Sequence, residues 1–270
     1  MTVPVREFRS CRKCEHAISC KSNICEAFSL SWMTTMFEEI DWRETPIGEL
    51  VLRRRRLHAD GEDIWEIKLN GGYLMSSQFV EGEIALTHLA LAMADGDALD
   101  VVVGGLGLGY TAQAALNDPR VGRLTVIELI PEVIEWHRQR LLPLGEAVAG
   151  DARCRLQQGD FFALAAEAGG FDACAPNKLH DAILIDIDHS TKHFIDDASA
   201  SFYSETAIFT IVQKLKPDGV LGLWSTDAED QGFVAAMQGS LRDVRIERVE
   251  FPTPYREEPA FNLIYLGRRP

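Results

Sequence analysis

A chain of 270 residues, 46% of them hydrophobic, suits one large domain, or a large domain with a small appendage, and supplies a sizeable core. A formal net charge of -14 argues against a general binder of nucleic acid, which needs basic surface to displace counterions. No apolar run reaches the ~18 residues of a membrane span and no signal-peptide core stands near Met1, so a cytoplasmic protein without a membrane partner is expected.

Residues 1–36 read as a cysteine-containing extension. Cys11, Cys14, Cys20 and Cys25 give C-x2-C-x5-C-x4-C, with His16 inside the cluster. Four thiolates this close could hold zinc or an iron–sulfur cluster. The second pair is irregularly spaced, so the plainer reading is a flexible extension, or upstream sequence joined by a misassigned start, and no metal is assigned. Cys154 and Cys174 are isolated and read as packing residues.

Residues 37–80 read as a small β domain, beginning at Phe37-Glu38-Glu39-Ile40. Leu50–Leu52, Ile64–Leu69 and Tyr73–Met75 are strand-like runs, with turn signals at Asp60-Gly61 and Asn70-Gly71-Gly72. The basic run Arg53–Arg56 could attract an acidic ligand, but four charges on a hairpin are more often solvated.

Residues 81–270 read as a nucleoside-binding domain. A helix over 81–93, with Ile84, Ala85, Leu89 and Leu91 on its buried side, leads into the stretch around which the rest is ordered. Val101-Val102-Val103 is a buried strand, and Gly104, Gly105, Gly107 and Gly109 form a turn before a helix start at Thr111. Strand, glycine turn and helix in that order present backbone N–H groups and a helix dipole to a nucleotide. Strands follow at 124–127, 154–156, 181–185 and 220–224, with helices over 133–141 and 202–215, the second stopped by Lys216-Pro217-Asp218-Gly219. Val244–Val249 and Leu263–Leu266 form a final strand pair. The alternation predicts an α/β fold with a doubly wound, mostly parallel, seven-stranded Rossmann-like sheet after the small N-terminal β unit.

Ligands in such sheets sit beyond the carboxyl ends of the strands. Glu128 follows the second strand, about 20 residues past the glycines, where an acid accepts from ribose hydroxyls. Gly159-Asp160-Phe161 follows the third. Asp160 suits an exocyclic adenine amine, or caps the next helix, and Phe161 suits a covering ring. Asp186-Ile187-Asp188-His189 follows the fourth. A metal site built from these acids with His189 and His193 is the weaker reading. Trp136 and His137 read as ordinary packing and surface residues. Counted from Gly105, the dinucleotide fingerprint G-x-G-x-x-G has Tyr110 at its third glycine. The acid after the third strand has no set part in dinucleotide binding either. Both points favour an adenosine sulfonium over a nicotinamide dinucleotide.

From about residue 45 onward the chain resembles the spermidine synthase family within the class I methyltransferase-like folds. Leu69-Asn70-Gly71 resembles its L-D-G entry, and Gly104-Gly105-Leu106-Gly107-Leu108-Gly109 its G-G-G-D-G-G loop. Glu128, Gly159-Asp160-Phe161, Asp186, Phe202-Tyr203 and Leu215–Val220 also match its motifs. The family's loop acid is Leu106 here, its second active-site acid falls on His189 with Asp188 one residue early, and its glutamine falls on Leu74. Its Tyr-His pair falls on Leu86-Thr87, with His88 displaced. The resemblance implies aminopropyl transfer from decarboxylated S-adenosylmethionine to a small amine, with Asp186 helped by Asp188 as catalytic acids. It implies Gly104, Gly105, Gly107, Gly109, Glu128, Asp160 and Phe161 as the nucleoside site, a place in polyamine biosynthesis, and a homodimer. Two alternatives stay open: a small-molecule methyltransferase using S-adenosylmethionine, and a non-catalytic nucleoside-binding module.

Overall fold

The computed structural model describes residues 37–56, 61–172, 174–187 and 202–270. The four-cysteine cluster, Asp60, Asp188, His189 and His193 lie outside these residues.

Strands β1 (Phe37–Thr45), β2 (Gly48–Arg55), β3 (Ile64–Leu69) and β4 (Gly72–Ser76) form an antiparallel meander. The turn from β3 to β4 follows from its sequence. Asn70 and Gly71 both take positive φ, 52° and 78°, as a tight hairpin turn requires. Asn70 also binds the β1–β2 turn, accepting from Glu49 N–H at 3.0 Å and donating to the Ile47 carbonyl. The basic run is neutralised within this sheet. Arg53 and Arg55 both hold the fully buried Glu66, at 2.5 and 2.6 Å, while Arg54 and Arg56 pair with Asp63. These arginines therefore serve the meander's own acids.

Helix α1 (Glu81–Met93) leads to a second sheet with seven strands. These are β5 (Leu99–Gly104), β6 (Val121–Glu128), β7 (Cys154–Gln158), β8 (His180–Ile185), β9 (Leu215–Ser225), β10 (Arg242–Phe251) and β11 (Ala260–Arg268). The order is β10-β11-β9-β8-β5-β6-β7, parallel from β7 through β9, with β11 antiparallel to both of its neighbours. The predicted doubly wound, mostly parallel sheet is the one observed. The chain winds outward from β5 to β6 and β7, then returns to β8 on the other side. The point where the order reverses lies between β5 and β8.

Alternation along the central strands divides the core. Val101 and Val103 face one layer with α1, α2 (Tyr110–Asn117), α3 (Pro131–Arg138) and the meander's Leu50, Leu52 and Ile67. Val102 faces the other, with α5 (Phe161–Ala166), α6 (Glu205–Val212) and α7 (Gln231–Gln238). A short helix, α4 (Gly145–Ala149), closes the first layer beside α3.

Four sequence readings change. The buried stripe of α1 is Glu83, Leu86, Thr87, Ala90 and Leu91, while Ile84, Ala85 and Leu89 are only half-buried. The stop signal at 216–219 falls inside β9: the pairing with β8 jumps from His180–Leu215 to Ala182–Val220, so those four residues bulge out of an otherwise continuous strand. Cys174 is exposed, whereas Cys154 is half-buried against the core. Trp136 and His137 are both fully buried. Trp136 Nε1 donates to Asp41 Oδ2 at 2.7 Å, tying the meander to the large sheet.

Candidate active site

The glycine turn is shaped by close approaches that no side chain could share. Gly105 sits at φ 91°, and a Cβ there would lie 2.0 Å from the Asp186 carbonyl oxygen. The backbones after β5 and β8 therefore touch, and Asp186 N–H donates to the Gly104 carbonyl at 2.9 Å. Gly107, at φ 46°, has the Met75 sulfur where its Cβ would stand. Beneath the turn, His137 Nε2 lies 2.9 Å from the Gly107 carbonyl, and the ring must donate that proton. Burial pulls its pKa down to about 4, so the imidazole is neutral at physiological pH. His137 therefore supports the glycine turn; its i+4 place on an amphipathic helix carried no sign of this.

Glu128, at the end of β6, is buried and lines a cavity of about 610 Å³ over the reversal point. One of its oxygens accepts from Leu106 N–H and the other from Ile130 N–H, both at 2.9 Å. Burial pushes its carboxyl above the usual range, while those backbone donors pull the other way. The acid thus fixes the glycine turn from below. Leu106 turns its side chain into the core at 4% exposure, so the turn offers backbone alone at that position.

Asp160 caps α5, its Oδ1 accepting from Phe162 and Ala163 N–H at 2.9 and 3.1 Å. It also lines the cavity. Phe161 is almost fully buried. Its ring lies where a Gly104 Cβ would be and stacks on Phe171 at 5.0 Å. The neighbouring Phe162 is the more open ring on this wall.

Asp186 also lines the cavity; it is half-buried and accepts from Thr111 Oγ1 at 2.5 Å. Burial raises its carboxyl to about 6, with the Thr111 hydrogen bond opposing. Glu83 of α1 faces the same space. Burial, then the facing Asp186, raise its carboxyl to about 8. Sequence reading passed over Glu83 because it sits in a helical stripe otherwise read for its apolar residues. The available signal was an acid at a buried spacing three residues before Leu86. The charged residues lining the cavity are Glu83, Glu128, Asp160 and Asp186; among the described residues no Lys, Arg or His joins them.

Of the site residues expected from sequence, Gly105, Gly107, Glu128, Asp160, Phe161 and Asp186 line this cavity; Gly104 and Gly109 do not, Gly104 lying against the Phe161 ring and Gly109 against His137, and Asp188 lies outside the described residues. No group of three potential metal ligands occurs among the described residues. Nor is any described helix long and apolar enough to cross a membrane.

No family model matches the chain. Over 220 residues it is 25% identical to polyamine aminopropyltransferase 2 of Pseudomonas aeruginosa, an alignment covering 74% of this chain and 58% of that protein. The chain thus spans under two thirds of the length of the curated relative it matches. Its fold is similar to spermidine synthase from Thermotoga maritima, with TM-score 0.63, 18% identity, and 84% and 72% of the two chains covered. A spermidine synthase solved with the transition-state analogue AdoDATO is comparably similar, at TM-score 0.62, 17% identity and the same coverages. A probable spermidine synthase from Corynebacterium glutamicum has TM-score 0.57, 20% identity, and 84% and 79% coverage. The likeness is to spermidine synthase-like proteins, the family whose motifs the sequence resembles.

Proposed function

We propose that the chain is a transferase that moves an aminopropyl group from decarboxylated S-adenosylmethionine to a small amine. The observation that carries this reading is the charge of the cavity. A part suited to adenosine, with Glu128 and Asp160, shares its lining with two further acids, the buried Glu83 and the half-buried Asp186, and no cation joins them among the described residues. S-adenosylmethionine brings a carboxylate, which such a lining would repel; the decarboxylated donor brings only positive charge. The curated relative named for aminopropyl transfer supports the same reading.

In the reaction, the acceptor amine forms a bond to the methylene carbon beside the sulfonium as the C–S bond breaks. The electron pair of that bond stays on sulfur, leaving neutral methylthioadenosine. The amine attacks only after losing a proton, and we assign Asp186 to orient it and take or relay that proton, a role supported by its place in the cavity lining. Asp188 is proposed to assist. Most of the acceleration would come from alignment of the two substrates in the cavity. A homodimer and a cytoplasmic setting complete the reading.

The test pairs binding with turnover. Calorimetry should find decarboxylated S-adenosylmethionine bound at least ~10-fold more tightly than S-adenosylmethionine. Chromatography should find methylthioadenosine formed only when a diamine is present. Preference for the carboxylated nucleoside with methyl transfer would overturn the proposal in favour of a methyltransferase. Binding of either nucleoside without turnover on any amine would favour a binding module.

A further inference from the structure

Glu83 stands at the third residue of α1 and is only 6% exposed. Its Oε2 has no hydrogen-bond partner among the described residues, although it lines the cavity. A buried carboxylate without a partner is costly, so one retained at a cavity wall calls for a cation or a proton. No side chain of the described lining supplies the cation. Opposite the first turn of α1, Gly82 leaves room for Trp224 and Asn262. A Cβ there would meet Trp224 Nε1 at 2.3 Å and Asn262 Oδ1 at 2.4 Å. Trp224 thereby reaches the cavity wall beside Glu83, and its Nε1 is likewise buried without a partner. Thr111 stands between Asp186 and the backbone of α1. Its hydroxyl donates to Asp186 Oδ2 and lies 3.5 Å from the Glu83 carbonyl oxygen. Asp186 is thus held by a hydrogen bond, while Glu83 keeps an open oxygen toward the ligand space.

We propose that Glu83 binds a primary alkylammonium group of the substrate in a subsite it shares with Asp186. The ligand's identity rests on the aminopropyl-transfer reading; its charge rests on the pair of acids alone. An ammonium has three N–H donors, enough to satisfy Oε2 of Glu83 and the Asp186 carboxylate together. It replaces the proton that burial would otherwise keep on Glu83.

The ammonium could belong to the donor or to the acceptor, and the probes separate the two. The full chain and its Glu83→Gln variant are titrated calorimetrically with methylthioadenosine, with decarboxylated S-adenosylmethionine, and with 1,4-diaminobutane in the presence of methylthioadenosine. Methylthioadenosine, which has no ammonium, should bind both proteins within ~2-fold, which also shows that the variant is folded. One of the two amine-bearing probes should lose at least ~10-fold in affinity. Glu83→Asp should recover part of that loss. Equal affinities for all three probes, or a parallel loss including methylthioadenosine, would overturn the subsite. If the wild-type chain bound the diamine but neither nucleoside, and Glu83→Gln lost that binding, aminopropyl transfer would fail while the subsite stood. If it bound the nucleosides with no effect of Glu83→Gln, the subsite alone would fail.

Discussion

Asp186 and Glu83 show how much chemistry depends on where a carboxyl group is held. Both are acids, but one accepts from Thr111 and the other has an open oxygen. Replacing Asp186 by Asn keeps the shape and removes the proton acceptor. Turnover should fall by ~10²–10⁴-fold, while methylthioadenosine affinity stays within a few-fold, as read by product formation and calorimetry. The two acids also make a prediction about pH. Glu83 is raised in the folded chain to about 8 from an ordinary 4.5, so the folded state keeps a proton that the unfolded chain releases between those values. Its contribution is intact below about pH 4.5 and is lost as pH rises toward 8. The groups that act on Glu83 are Asp186 at the end of β8 and Glu81 on its own helix, both of which favour its neutral form; Tyr110 of α2 faces it as well. The ligand-free protein should therefore melt at a lower temperature near pH 8 than near pH 5, and the fall should be smaller in Glu83→Gln. Thermal unfolding followed by circular dichroism across that range checks the sign.

At the scale of elements, the glycine turn was legible because its constraint is local: strand, glycines and helix follow one another within a dozen residues. The acids beyond β6, β7 and β8 were legible for a related reason, since each ends an apolar run and strand ends converge in a doubly wound sheet. Glu83 was not legible, because a helix stripe is found by its apolar residues and the buried face of α1 carries Glu83 and Thr87. His137 was hidden by the same habit. The bulge in β9 was hidden because a turn signal inside a strand looks like the strand's beginning. The contact between the β5 and β8 ends gives a direct test. Gly105→Ala meets both a positive φ and the Asp186 carbonyl, so it should destabilise the fold by more than ~1 kcal/mol and weaken nucleoside binding. A urea midpoint unchanged from wild type would contradict the close approach.

Across the whole molecule, the small meander and the large sheet share one hydrophobic layer, with Leu50, Leu52 and Ile67 packed among residues of α1, α2 and α3. The polar tie within that layer is Trp136 Nε1 to Asp41 Oδ2, and Asp41 also holds Arg43 at 2.8 Å. Asp41→Asn weakens both partners and leaves a buried indole N–H poorly satisfied, at a cost of about 1–3 kcal/mol. Hydrogen exchange should show faster opening of β1 and β2, with the central strands β5 and β8 changed least. Uniform acceleration across both sheets would mean that the two unfold as a single unit.

Sequence alone determined the fold class, the alternation of strands and helices, and the placing of Glu128, Asp160 and Asp186 at strand ends. Each is encoded in short stretches: apolar periodicity, glycines at a tight turn, and acids at strand ends. Tertiary structure decided the rest, because it depends on residues far apart in the chain. Only the fold brings Glu83 across from α1 to face Asp186 at the end of β8, turns Leu106 into the core, and sets His137 beneath Gly107. The cavity's charge, on which the proposed chemistry rests, follows from which side chains line one space, and no local pattern in the sequence carries that information.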